Sequence, residues 1–222
     1  NTNEDVTGSV SINCTDVDGD TLIYGVGSEP ANGILSRVGG AYSFAPRADW
    51  NGSSSGTLTA SDGTVSVSFG LTVNVAPVND APRCDTTTLT TNEDTQLDTT
   101  LNCFDIDSGS INYAIVSDPQ GGSAVLNSNT GSLRFTPTAN WNGSDSITVR
   151  VSDGQLAATF VVPISVSAVN DAPVCSTHTI NTNEDVTGSV SINCTDVDGD
   201  TLIYGVGSEP ANGILSRVGG AY

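Results

Sequence analysis

Apolar residues recur at every second position along much of the chain. Within residues 64–75, Val65, Val67, Phe69, Leu71, Val73 and Val75 fall on one face, which is the period of a half-buried strand. Residues 146–151 and 159–166 alternate in the same way, and Pro163 marks the second run as an edge or bulged strand, because proline has no N–H to give to a ladder. No window carries a sustained i, i+3, i+4 apolar stripe, so no helix longer than about one turn is expected. Turn pairs break the chain at short intervals: Asp18-Gly19, Asn32-Gly33, Gly39-Gly40, Asn51-Gly52 and Asp62-Gly63, then Gly121-Gly122, Asn142-Gly143 and Asp153-Gly154. Short strands at this spacing predict an all-β Greek-key sandwich. Asp62-Gly63 and Asp153-Gly154 lie between strong alternating runs and are expected to close tight hairpins.

The pattern repeats. Residues 1–42 recur unchanged as residues 181–222, and a weaker copy lies between them. Glu4, Cys14 and Asp16 correspond to Glu93, Cys103 and Asp105; Phe44, Trp50, Asp62 and Asn79 correspond to Phe135, Trp141, Asp153 and Asn170. The unit is about 90 residues long, and two variants of it alternate. Each alternating run ends in the same stretch, Val78-Asn79-Asp80-Ala81-Pro82 and Val169-Asn170-Asp171-Ala172-Pro173. The proline stops the strand, so the expected domains are 1–82, 83–173 and the first half of a third, 174–222. Half a sandwich cannot bury its own core, and the chain is therefore expected to continue at both ends.

Charge narrows the partners. With 25 Asp+Glu against 6 Lys+Arg the formal net charge is −19, which repels nucleic-acid phosphates and anionic membranes and suits divalent cations or a high-salt medium, a solvated acidic surface being the bland alternative. No run approaches the ~18 apolar residues of a membrane helix, so no membrane insertion is expected for this segment. Trp50 and Trp141 each precede Asn-Gly, and one tryptophan at a fixed place in each unit reads as a core anchor. His178 has no cysteine or histidine at metal-binding spacing. The five cysteines resolve into Cys84 with Cys103 and Cys175 with Cys194, equally spaced, while Cys14 is the counterpart of Cys194 with its partner position before residue 1. Disulfides are expected, each joining the first strand of a unit to the next; free buried thiols are the alternative. A disulfide of this loop size contributes about 3 kcal/mol and implies an oxidising, extracellular setting. Asn13, Asn51, Asn142 and Asn193 stand in Asn-x-Ser/Thr triplets, the glycosylation acceptor pattern, which also arises by chance.

The densest acidic motif is Asp16-Val17-Asp18-Gly19-Asp20, with its copy at residues 196–200 and the shorter Asp105-Ile106-Asp107 between them. It lacks the later glutamate and the flanking helices of a helix-loop-helix calcium loop. The bland alternative is an acidic turn. Taken in order, Asn3-Glu4-Asp5, then Cys14-Thr15-Asp16-Val17-Asp18-Gly19-Asp20, then Ser61-Asp62-Gly63, then Val78-Asn79-Asp80-Ala81-Pro82 resembles the cadherin-like tandem repeats of giant bacterial surface adhesins, over essentially the whole chain. The resemblance implies a cadherin- or immunoglobulin-like fold with calcium between domains. It assigns Glu4, Asn79, Asp80, Asp105 and Asp107 to the first junction and Glu93, Asn170, Asp171, Asp196 and Asp198 to the second. The cadherin linker's leading aspartate is replaced by Pro77 and Ala168, and its final asparagine by Ala81 and Ala172. The acidic motif that cadherins carry mid-domain has no clear counterpart, Asp49 in one unit facing Asn140 in the other. The number of ions per junction, none included, is left open.

Two functions fit. One is a structural extender segment of a large extracellular adhesin or surface filament, whose partners are neighbouring repeats and like chains, with joints stiffened by calcium. The other is a glycan- or cell-binding sandwich module. No Ser/His/Asp or Cys/His set is present, so an enzyme is not expected.

Overall fold

The computed structural model describes residues 1–38 and 41–217; the expected Gly39-Gly40 turn lies outside the described residues. The first unit contains β1 (Thr2–Asn3), β2 (Gly8–Ser11), β3 (Ile23–Ser28), β4 (Gly33–Val38), β5 (Ala41–Pro46), β6 (Gly52–Ser61) and β7 (Ser66–Ala76). They form two sheets, β1-β7-β6-β3 and β2-β5-β4. β1 runs parallel to the end of β7, with Thr2 opposite Val75, whereas β2 belongs to the other sheet. The chain therefore crosses from sheet to sheet at Glu4-Asp5-Val6-Thr7, at the end of the sandwich where the linker departs. Leu35, Tyr42, Phe44, Leu58, Val73 and Val75 fill the space between the sheets.

The second unit contains β8 (Arg83–Asp85), β9 (Leu89–Asn92), β10 (Leu97–Thr100), β11 (Asn102–Phe104), β12 (Asn112–Ser117), β13 (Gly122–Leu126), β14 (Ser132–Pro137), β15 (Gly143–Ser152) and β16 (Ala157–Ser167). Its sheets are β12-β15-β16-β9 and β10-β14-β13, with β8 and β11 forming a separate ribbon. Phe135, Ile147, Val149 and Val151 are fully enclosed at its centre. Trp141 packs on this core and Trp50 on that of the first unit, as anchors. Gly121 lets the Trp141 ring approach; a Cβ there would lie 2.3 Å from it. The third unit contains β17 (Val174–Cys175) paired with β18 (Cys194–Thr195) and no other strand among the described residues.

Several details differ from the sequence reading. Val65 and Val67 are 61% and 57% exposed, because they sit at the hairpin end, beyond the opposing sheet; burial begins at Phe69. The Asp-Gly pairs lie in short connections between neighbouring antiparallel strands. β6 and β7 are joined by residues 62–65, and β15 and β16 by residues 153–156. In each the aspartate closes the loop itself: Asp62 Oδ1 accepts the N–H groups of Thr64 and Val65, each at 2.6 Å, a side chain standing in for a backbone turn. Pro163 lies opposite Ser146 without a shift in register. β9 joins the outer side of β16 only from Ile164 onward, so the missing N–H falls just short of the shared stretch. Cys84–Cys103 and Cys175–Cys194 are disulfides and Cys14 is free. In the second unit the bridge joins β8 to β11, with β9 and β10 between them, rather than consecutive strands.

Candidate metal centre

No strand runs through residues 77–82, and each residue of the linker that carries a polar group is held from one side or the other. Glu4, only 2% exposed, takes the Val78 N–H on Oε1 and the Asn51 amide on Oε2 at 3.4 Å. A buried carboxylate is tolerable only when hydrogen-bonded in this way. From the other side, Asp107 Oδ2 accepts the Asp80 N–H at 2.8 Å. Asp105 Oδ1 accepts the N–H groups of Asp107 and Ser108 at 2.9 and 2.7 Å, shaping the loop that presents Asp107. Asn79 turns its amide onto the hairpin of the second unit, donating to Asp153 Oδ2 at 2.6 Å and accepting from Gln155 Nε2 at 3.1 Å. Its side chain thus locks the linker to the second unit and is spent on protein partners.

Two groups that the sequence reading left out complete the cluster. Asp5 and Asp49 each bring a carboxylate oxygen into one group with Asp80, all mutually within 4.8 Å. Both aspartates have positive φ, 57° and 55°, a region that Asp and Asn tolerate better than most residues. The Asp49 N–H donates to Asp5 Oδ1 at 3.2 Å, tying the two turns together. Arg83 Nη2 approaches Asp49 Oδ1 at 3.4 Å from the second unit. Oδ2 of Asp80 and Oδ2 of Asp105 are enclosed without any hydrogen-bond partner. Burial raises the Asp80 carboxyl above the ordinary carboxylate value, and the charges of Asp49, Asp107, Asp5 and Glu4 add to the effect. Asp153 is lowered, chiefly by the Asn79 hydrogen bond. The signals for Asp5 and Asp49 were an acidic residue beside Glu4 and the Asp49/Asn140 difference between otherwise matching turns.

The second junction repeats the plan. Glu93, 3% exposed, accepts the Val169 N–H at 2.6 Å and the Asn142 amide at 3.2 Å. Asp198 Oδ2 accepts the Asp171 N–H at 2.7 Å, and Asp196 Oδ1 accepts the N–H groups of Asp198 and Asp200. Asn170 donates to the Asp171 carbonyl at 2.8 Å. Where the first junction has Asp49, this one has Asn140, whose backbone N–H donates to Asp94 Oδ1 at 3.0 Å. Its amide is satisfied when Nδ2 faces Asp171 Oδ2 at 3.1 Å and Asp94 Oδ2 at 3.2 Å. The Asp171 carboxyl is also raised, by burial first and then by Asp94, Asp198, Glu93 and Asp196. Asn51 and Asn142, two of the glycosylation-pattern asparagines, have their amides engaged on Glu4 and Glu93.

Enclosed carboxylate oxygens without donors, crowded against further carboxylates, are hard ligands suited to calcium. Two unit charges ~4 Å apart repel by about 4 kcal/mol at an effective dielectric near 20.

The family model of a cadherin-like domain matches residues 2–76, and that of a bacterial Ig domain matches residues 79–165. No curated protein sequence matches the chain. Among solved structures, the endo-fucoidan hydrolase MfFcnA4 from glycoside hydrolase family 107 is 23% identical over 76% of this chain, with a TM-score of 0.36. This chain spans only 27% of that one. Drosophila N-cadherin EC1-4 is 15% identical over 83% of this chain and 52% of its own, at a TM-score of 0.46. Human Protocadherin-24 EC1-2 Form II is 20% identical over 71% of this chain and 85% of its own, at a TM-score of 0.43. No helix among the described residues is long and apolar enough to cross a membrane. The two stretches that these family models match, residues 2–76 and 79–165, are each folded as a two-sheet β-sandwich.

Proposed function

We propose that this chain is an extender segment of a large extracellular adhesin or surface filament, located at the cell surface or secreted, and that calcium stiffens the joints between its repeats. The observation that carries the reading is the crowding of Asp5, Asp49 and Asp80 at the linker, with enclosed and unpartnered oxygens on Asp80 and Asp105. Glu4, Asp5, Asp49, Asp80, Asp105 and Asp107 would hold the ion at the first joint; Glu93, Asp94, Asp171, Asp196 and Asp198 would do so at the second. Asn79 and Asn170 orient the linker. When bound, calcium supplies the positive charge that lets these carboxylates stay close.

The chain's own part is mechanical. Val78 is bonded to the first unit through Glu4, while Asn79 and Asp80 are bonded to the second through Asp153 and Asp107. Successive residues are thus clamped to opposite domains, and bending requires breaking one clamp. Cadherin-like and Ig-like domains are usually non-enzymatic, and this segment is read as a spacer without catalysis. The disulfides support an oxidising, extracellular setting.

Small-angle scattering tests the reading. With calcium the particle is expected to be a rod; with chelator its maximum dimension shortens and its ensemble broadens. The Asp105→Asn, Asp107→Asn variant should behave as chelated even in calcium. Identical profiles in all three conditions would rule the mechanism out.

A further inference from the structure

Each joint contains a small closed ring that lies outside the sandwich sheets. β8 and β11 form a three-residue ribbon of their own, with Cys84 opposite Cys103 and bonded to it. Four residues before Cys84 stands Asp80 of the linker, and two residues after Cys103 the Asp105-Ile106-Asp107 loop begins. The Asp80 N–H bonds to Asp107 Oδ2. The ring therefore runs along the chain from Asp80 to Cys84, across the disulfide, along the chain from Cys103 to Asp107, and back through one hydrogen bond.

The second joint closes the same ring through Asp171, Cys175, Cys194 and Asp198. There it forms although β17 and β18 are the only strands described in the third unit.

We propose that the disulfide is a positioning brace for the cation joint. It fixes the acidic loop of one unit against the acidic linker before any ion arrives. The proposal rests on the calcium reading above. Like charges drift apart unless covalent structure holds them, and a site assembled in advance loses less entropy when its ligand binds. The supporting shell around metal ligands is typically worth 10- to 100-fold in affinity.

The test uses the whole chain carrying Cys84→Ser and Cys103→Ser, with Cys175–Cys194 left intact as an internal reference. Calcium titration by calorimetry is expected to show one class of site weakened by at least about tenfold, while circular dichroism keeps its strand signature. Hydrogen exchange in chelator is expected to speed up at the Asp80 amide and to stay unchanged at Ile147 and Val149. A folded variant with unaltered affinity and unaltered exchange at Asp80 overturns the proposal. So does a variant that loses its strands, since the bridge would then be holding the fold. If the unmodified chain binds no calcium, the calcium reading fails; the exchange measurement in chelator still decides whether the brace exists.

Discussion

The two joints share a backbone plan and differ at several positions, two of them beside the crowded carboxylates. The first has Asp49 and Arg83; the second has Asn140 and Val174 in their places. Exchanging an Asp–Arg pair for an Asn–Val pair is neutral in formal charge, yet it redistributes how the charge is met; the second joint's acidic loop also carries Asp200 where the first has Gly109. At the second joint the Asn140 amide, with Nδ2 turned toward them, donates to both Asp94 and Asp171. At the first joint Asp49 adds a third carboxylate beside Asp5 and Asp80, and Arg83 reaches it from the rim, its own side chain 61% exposed. An exposed ion pair of that kind is worth at most about 1 kcal/mol, too little to offset the crowding. The comparison teaches that one side-chain nitrogen in place of an oxygen lets two carboxylates share a donor at the second joint, where the first joint leaves three carboxylates crowded.

The sharpest way to break this contrast is Asp49→Asn. It should give the first joint the chemistry of the second, with calcium affinity at that site falling by at least about tenfold in calorimetry and the calcium-free particle staying extended in scattering. Unchanged affinity would remove Asp49 from the ligand set. The reciprocal Asn140→Asp deletes two hydrogen bonds to carboxylates and adds a charge. Each such bond is worth roughly 1.5–3 kcal/mol, and exposure of residue 140 to solvent reduces that to about 1–2 kcal/mol in total. Without calcium the Asp171 amide should exchange several times faster, and calcium should restore its protection. Equal protection in both forms would show that the amide bridge contributes nothing.

Acidity gives the smallest effect. Asp80 and Asp171 are raised from an ordinary value of 3.8, so each holds its proton more tightly in the closed joint. Their contribution to closure is complete below 3.8 and is lost as pH rises through the raised value. Asp153 is lowered, so its contribution is present above 3.8 and is lost as pH falls through the lowered value. The calcium-free first joint is therefore expected to be tightest just above 3.8, where Asp153 is ionised and Asp80 still partly protonated. Scattering in chelator at pH 4 and pH 7 should show the longer particle at pH 4; equal dimensions would remove Asp80 as the titrating group.

Period-two alternation made β7 and much of β15 and β16 legible, because a two-sided sheet imposes that period locally. Glu4, Asp80, Asp105 and Asp107 were legible as motifs, since each lies in a short acidic stretch at a recurring place. Asp5 and Asp49 were not, because nothing local announces that turns 44 residues apart meet. The clamp of Asn79 on Asp153 spans 74 residues and was equally hidden.

Residues 1–42 and 181–222 show where the division falls, for they are the same sequence. In the first copy Thr2–Asn3 pairs with β7, Gly8–Ser11 with β5 and Ile23–Ser28 with β6, and Glu4 is buried. In the second copy those segments form no such strands and Glu184 is exposed, the counterparts of β5, β6 and β7 lying outside the described residues. The reverse holds at the cysteines: Cys194–Thr195 is a strand because Cys175 lies opposite, whereas Cys14-Thr15 is not. The sequence alone determined the period, the turns, the charge and which residues are able to pair. The tertiary structure decided which of them do, because a strand satisfies its backbone groups only on a neighbour and a carboxylate is buried only where donors such as Val78 N–H and Asn51 come to meet it.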